Sequence, residues 1–146
     1  MRLTNFHVPT TVFGFALLTW VSAAPAFARS PSSFASSCVN ARVVENVLVA
    51  SCDIGDLWHT HQIASVTLQG IFNAHGGILE DDGSNKPASF QNSCQSNEVQ
   101  YTGNAREFAC EADTLFALCR TGTGNNYVNT SIRMDGIRND RGHLRY

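Results

Sequence analysis

Hydrophobic positions along this chain fall into short alternating runs of the kind that line one face of a β-strand. Gln62 to Leu68 alternates most clearly, with Ile63, Val66 and Leu68 as apolar members. Arg42 to Cys52 is rich in β-branched residues and alternates in part, and Tyr127 to Met134 repeats the pattern near the C-terminus. Gly76-Gly77 and Glu80-Asp81-Asp82-Gly83-Ser84-Asn85 read as turns, and Pro87 interrupts regular pairing. One stretch departs from the strand pattern. Ala105, Phe108, Ala112, Leu115 and Phe116 stand near helical spacing, which predicts a helical turn or two between Asn104 and Leu118.

The runs recur in order, and an internal repeat outranks any other reading of a sequence. Ser33-Phe34 precedes Cys38 as Ser89-Phe90 precedes Cys94. Leu48-Val49-Ala50-Ser51-Cys52 returns as Leu115-Phe116-Ala117-Leu118-Cys119. The run from Ser65 to Asn73 returns from Ser131 to Asn139. Phe34 and Phe90 are 56 positions apart, Cys52 and Cys119 are 67 apart, so the second copy holds about eleven extra residues between its matched cysteines. The repeats span about 31–80 and 87–146. Each Ser-Phe-x-x-Ser-Cys block reads as a short turn that delivers a core phenylalanine, Phe34 or Phe90, beside a cysteine.

Residues 1–28 have the form of a secretory signal. Arg2 is followed by an apolar core, Val12 to Val21, and then by small residues, with Ala26-Phe27-Ala28 as one cleavage site and Val21-Ser22-Ala23 as another. The core is short for a membrane span, so no membrane insertion is expected. What remains suffices for one domain and carries nine basic against twelve acidic residues, with no basic stripe, which argues against nucleic acid as a partner.

Five cysteines in a short exported chain point to disulfides with one cysteine left over. Equivalent positions in two copies do equivalent work, which pairs Cys38 with Cys52 and Cys94 with Cys119. Cys110 is then free or joins two chains, making the protein a monomer or a dimer. The rival pairing, Cys94 with Cys110, leaves Cys119 free.

The ordered set Ser-Phe-x-x-Ser-Cys, Leu-x-Ala-x-Cys, Ser-(Val/Ile)-x-(Leu/Met)-x-Gly-Ile-x-Asn and the closing Gly142-His143-Leu144-Arg145-Tyr146 resembles the cyanovirin-N family over Pro31 to Tyr146. The resemblance implies an all-β, pseudo-symmetric tandem repeat. Each half would have a three-stranded sheet and a β-hairpin, with strands exchanged between the halves. It also implies a lectin for high-mannose oligosaccharides, with one sugar pocket per half, no catalysis, no cofactor and no metal.

Carried over by position, the pocket of the half formed by the chain ends would use Ser33, Ser36, Ser37 and Asp53, together with Asn139, Asp140 and Arg141 of the Asn-x-Asp-Gly turn. Arg141 stands where the family has aspartate, and Gly55 where it has threonine. The pocket of the central half would use Asn73, His75, Ser89, Asn92, Ser93, Arg120, Thr121 and Thr123. There the turn is one residue longer, with His75 near the aspartate position, and Asn92 replaces a glutamate. The intact Cys-(Lys/Arg)-Thr element makes the central pocket the better candidate. Convergent Ser, Thr, Asn and Asp side chains suit a pyranose, whose hydroxyls each donate and accept. The blander reading is that such residues beside turns simply form the turns.

Other features are weaker. His59 and His61 have a spacing that would share a strand face, yet two histidines alone do not make a metal site. Trp58 is either a sugar-stacking ring or a loop residue. His75 and His143 invite an acid–base reading, but the repeats hold no matched nucleophile or carboxylate pair. Glu80-Asp81-Asp82 reads as a solvated acidic turn. Asn129-Thr130-Ser131 is a glycosylation sequon on a predicted strand.

Overall fold

The computed structural model describes residues 29–96, 105–122 and 124–146. Residues 1–28, read above as a secretory signal, and the candidate Thr123 lie outside the described residues. Twelve strands are present among the described residues: β1 (Cys38–Val44), β2 (Val47–Asp53), β3 (His61–Thr67), β4 (Ile71–Asn73), β5 (Leu79–Asp81), β6 (Cys94–Gln95), β7 (Glu107–Phe108), β8 (Cys110–Glu111), β9 (Thr114–Arg120), β10 (Tyr127–Arg133), β11 (Arg138–Asp140) and β12 (His143–Arg145). The two Ser-Phe blocks are 3-10 turns, Phe34–Ser36 and Phe90–Asn92, each turning its phenylalanine fully inward.

The repeated Leu-x-Ala-x-Cys motif is the inner row of a strand. A strand points alternate side chains to one face, and Leu48, Ala50 and Cys52 of β2 and Leu115, Ala117 and Cys119 of β9 are all buried. These rows join Phe34, Phe90, Phe108, Leu68, Ile71, Met134 and Ile137 in one core. In β3 Ala64 is buried and Val66 half-buried against the core, whereas Ile63, on the opposite face, is 72% exposed. The stretch read as one β-rich run from Arg42 to Cys52 is a hairpin, turning at Glu45-Asn46 with Glu45 at φ +55.

The first sheet has the order β3-β2-β1-β7, and the second has β10-β9-β6 with β8 also on β9. Each is thus one strand richer than the expected three, and the insertion is the reason. In the first copy, Val39 pairs with Ser51 and Val43 with Leu48, with a register shift between them where Asn40 takes φ +54. In the second copy, Gln95 pairs with Leu118 and Cys110 with Leu115. The insertion falls at the position of that bulge, where pairing in the first copy is already broken. On the way back, β7 adds to the edge of the first sheet, Phe108 opposite Val43 and Glu107 opposite Val44, covering an open strand. The described part of the 104–118 stretch is therefore strand, with no helical turn. Its apparent helical spacing arises because Phe108 and Leu115 lie on separate strands and Ala112, at φ +53, turns between them.

The cysteines pair as the repeat requires. Cys38 bonds Cys52 and Cys94 bonds Cys119, which rules out the Cys94–Cys110 arrangement. Cys110 is free and stands in register where the first copy has the core residue Val43. Burial, with Asp113 nearby, pushes its thiol up to about 11. The thiolate needed for disulfide exchange is therefore scarce at neutral pH.

The hairpins are exchanged between copies. The second copy's hairpin, β11 with β12, packs against β3 of the first sheet, and the first copy's hairpin, β4 with β5, lies against β10 of the second. The crossing at Gln69 is held by both ends of the described chain. Tyr146 Oη accepts the Gln69 amide at 2.8 Å, and Arg29 donates to the Gln69 carbonyl at 2.9 Å while lying 4.7 Å over the Tyr146 ring.

Candidate functional site

Each half holds an asparagine that ties a hairpin to the opposite copy's sheet. In the half with the chain ends, Asn139 Nδ2 donates to Ser37 Oγ at 3.0 Å and to the Asp53 carbonyl at 2.8 Å. In the central half, Asn73 Nδ2 donates to Ser93 Oγ at 2.9 Å and to the Arg120 carbonyl at 3.0 Å. The backbone repeats the equivalence, with Asp53 N–H to the Ser37 carbonyl at 2.9 Å and Arg120 N–H to the Ser93 carbonyl at 3.0 Å. Ser33 and Ser89 likewise donate their amides to Ile137 and Ile71, both at 2.9 Å. A glycine closes each turn. At Gly77, φ +82, an added Cβ would meet Val128 at 2.7 Å and the Cys119 carbonyl at 2.9 Å, and at Gly142, also φ +82, it would meet Ile54 at 2.7 Å.

The longer central turn changes one bond. Asn139 Oδ1 accepts the Gly142 amide at 2.8 Å, whereas the Gly77 amide donates to the Ala74 carbonyl at 3.2 Å. Asn73 Oδ1 is left buried without a partner among the described residues. His75 stands exposed on the outside of this turn.

A cleft of about 240 Å³ opens in the central half, lined by Asn92, Ser93, Cys94, Gln95, Arg106, Arg120 and Tyr127. It gathers Asn92, Ser93 and Arg120 of the expected residues. Ser89 lines a different cleft, of about 390 Å³, with Gly70, Phe72 and Lys86. Thr121 closes its own turn, donating its amide to the Asn126 carbonyl at 2.9 Å. Tyr127 and Arg106 are contributors that the sequence reading missed. Tyr127 sits opposite Arg120 across the β9–β10 ladder, and its hydroxyl accepts from the Arg120 guanidinium at 3.2 Å. Its signal is the strand register alone. Arg106 comes from the insertion and has no counterpart in the first copy.

In the other half the acidic groups are taken up internally. Asp53 accepts His59 Nδ1 at 2.8 Å and the Gly55 amide at 2.7 Å, and Asp140 pairs with Arg145 at 3.5 Å. Ser36 Oγ donates to the Ser33 carbonyl at 2.7 Å, and Arg141 is exposed at φ +49. The loop carrying His59 is braced by Asp56, which accepts the Thr60 amide at 2.8 Å and hydroxyl at 2.6 Å, and it presents Leu57 and Trp58 almost wholly to solvent.

The hydrogen bond from His59, and then that from the Gly55 amide, holds the Asp53 carboxyl below its usual range, and the same contact with Asp53 raises the His59 imidazole above 6.5. The histidine contribution is full below pH 6.5 and fades as pH rises through the raised value. The aspartate contribution is full above 3.8 and fades as pH falls through the lowered value. The pair is therefore strongest between those two limits. A proton-resolved NMR titration is expected to place the His59 midpoint above 6.5 and to return it toward 6.5 in Asp53→Asn. An identical midpoint in the variant would show that the contact does not persist in solution.

A family model described as the CVNH domain matches residues 34–145. The chain belongs to the CVNH family. CVNH proteins are carbohydrate-binding lectins rather than enzymes. Solved CVNH structures share the fold: that of the T. borchii CVNH protein superposes with a TM-score of 0.54 at 20% identity, covering 78% of this chain and 98% of that one. A designed cyanovirin-N homolog lectin gives 0.50 at 20% identity, over 78% of this chain and 98% of that chain. The CVNH–LysM module from the rice blast fungus Magnaporthe oryzae gives 0.51 at 14% identity, over 80% and 98%. No curated protein sequence matches the chain. The two asparagine constellations are built from residues that the resemblance names: Ser37, Asp53 and Asn139 in one half, Asn73, Ser93 and Arg120 in the other.

Proposed function

We propose that this CVNH protein is a secreted, non-catalytic lectin for mannose-type oligosaccharides and that its central half carries the working site. The observation behind this reading is the cleft beside the Asn73–Ser93–Arg120 constellation. A pyranose presents neighbouring hydroxyls that each donate and accept, and Asn92, Ser93, Gln95 and the Tyr127 hydroxyl offer matching groups on a rigid sheet edge. The Tyr127 ring adds an apolar face for the C–H side of a sugar. Secretion accords with the basic start at Arg2, the short apolar core, the small-residue cleavage sites and the two disulfides.

A second reading applies to the half with the chain ends. Its Asp53 and Asp140 already have ionic partners, and Arg141 replaces the family aspartate, which favours a half that keeps the fold without binding sugar.

A glycan array probed with the oxidised chain from Arg29 onward tests the function, and selective capture by mannose-terminated glycans is the expected result. Arg120→Ala combined with Thr121→Ala is expected to weaken binding at the central half by at least about tenfold, the loss of one charged hydrogen bond. Amide shifts near Ser93 report that site separately. Unchanged shifts and affinity in the double variant would remove the central pocket from the reading, and a blank array from folded protein would remove mannose binding altogether.

A further inference from the structure

The two copies of the site carry opposite charge at one register position. Asp53 ends β2 opposite His61, whereas Arg120 ends β9 opposite Tyr127. The insertion then adds a second guanidinium, Arg106, to the same cleft, whose remaining lining is uncharged: Asn92, Ser93, Cys94, Gln95 and Tyr127.

Both guanidiniums are held by neutral acceptors. Arg106 Nη1 donates to the Gln91 carbonyl and, at 3.4 Å, to the Cys94 carbonyl. Arg120 Nη2 donates to Tyr127 Oη at 3.2 Å, and its guanidinium carbon lies 5.7 Å from the ring centroid. Arg29, Arg42, Arg133 and Arg145 each pair with a carboxylate, whereas Arg106 and Arg120, like Arg138 and Arg141, form no ion pair among the described residues; of these four, Arg106 and Arg120 share one cleft. A guanidinium has five N–H donors, so these contacts leave donors over on both side chains. The acid beside Arg106, Glu45, is taken by the Arg106 backbone amide at 2.9 Å rather than by its guanidinium. Two guanidiniums with spare donors suit a planar or tetrahedral anion.

Resting on the reading of this cleft as a sugar site, we propose that it takes an acidic saccharide. The sugar's carboxylate, phosphate or sulfate group sits on Arg106 and Arg120, and its hydroxyls meet Asn92 and Ser93. The duplication thus produced one acidic and one basic version of the same site, and the insertion reinforced the basic one.

NMR titration of the full mature chain tests this with four saccharide probes: neutral mannobiose, its 6-phosphate, its 6-sulfate and a glucuronate–mannose disaccharide. Inorganic phosphate serves as a fifth probe. At least one acidic form is expected to bind about tenfold more tightly than mannobiose, the gain of a charge-assisted hydrogen bond. That advantage should shrink with added salt, and which acid shows it identifies the natural group. In Arg106→Gln the acidic-to-neutral ratio should fall toward one, and in Arg106→Lys, which keeps the charge, it should persist in part. The amide spectrum of each variant confirms that it is folded.

Equal binding of neutral and acidic probes overturns the acidic preference while leaving a mannose lectin in place. Inorganic phosphate binding as tightly as the sugar phosphate overturns it too, because the cleft would then be an anion site without saccharide selectivity. If no probe binds, both this proposal and the sugar reading fall. An unchanged ratio in Arg106→Gln also overturns the assignment.

Discussion

Phe90→Ala is expected to lower the unfolding free energy by about 4 kcal/mol, the middle of the range for a buried phenylalanine, and to blunt binding at the central half at the same time. Phe90 is fully buried on the 3-10 turn Phe90–Asn92, the turn that leads from Ser89 to Asn92 and Ser93. Its ring meets Phe108 edge-on, with centroids 5.0 Å apart at 68°. Removing it leaves a cavity under the turn, and the rest of a close-packed interior relaxes only in part. Phe34→Ala is the matched control. It empties the equivalent position of the other copy, where no ring pair involves Phe34 among the described residues. An aromatic pair contributes roughly 0.5–1.5 kcal/mol beyond area burial, so Phe90→Ala should cost more than Phe34→Ala by about that amount. Denaturant unfolding of both variants checks the ranking. Equal costs would mean that Phe108, carried in by the insertion, adds only bulk.

Replacing Cys94 and Cys119 together by alanine should lower stability by about 3–4 kcal/mol in the chain-entropy treatment, slightly more than for Cys38 with Cys52. The reason is loop length: the sequence separations are 25 and 14. Local structure adds to the difference. β1 continues alongside β2 to Val44, whereas β6, among the described residues, pairs with β9 at Cys94 and Gln95. Loss of the second bridge therefore also frees the strand that fixes Ser93, and the central cleft should loosen. A thermal midpoint about 10–20 °C lower is the expected reading. A drop no larger than that of the Cys38–Cys52 variant would show that β6 is held by packing rather than by its bridge.

Much of this architecture was legible because the repeat and the strand period coincide. Leu-x-Ala-x-Cys is visible as a duplicated string, and it is also a period-two row, so the same residues announced both the symmetry and the core. Symmetry also favoured the cysteine pairs over the rival Cys94–Cys110 arrangement, and the structure shows those pairs. The helical reading around Ala112 failed because a tight turn between two strands placed apolar residues three and four apart by coincidence. Asn73, Ser93 and Arg120 were legible from the resemblance, and the structure joins them directly. Ser89 and His75 belong to the same motifs but do not line this cleft: Ser89, before its 3-10 turn, lines the neighbouring one, and His75 stands exposed on the lengthened loop. Tyr127 and Arg106 left no local trace. One depends on cross-strand register and the other on where an unmatched insertion returns.

The exchange of hairpins separates the unit of inheritance from the unit of recognition. Asn139, encoded in the second repeat, completes the constellation of Ser37 and Asp53 in the first, and Asn73 of the first completes that of Ser93 and Arg120 in the second. A recombination event that replaced one repeat as a cassette would therefore alter both constellations at once. Selection can retune one site freely only through positions that stay within a repeat, such as Arg120 and its ladder partner Tyr127, or through a segment such as the insertion that one repeat alone possesses.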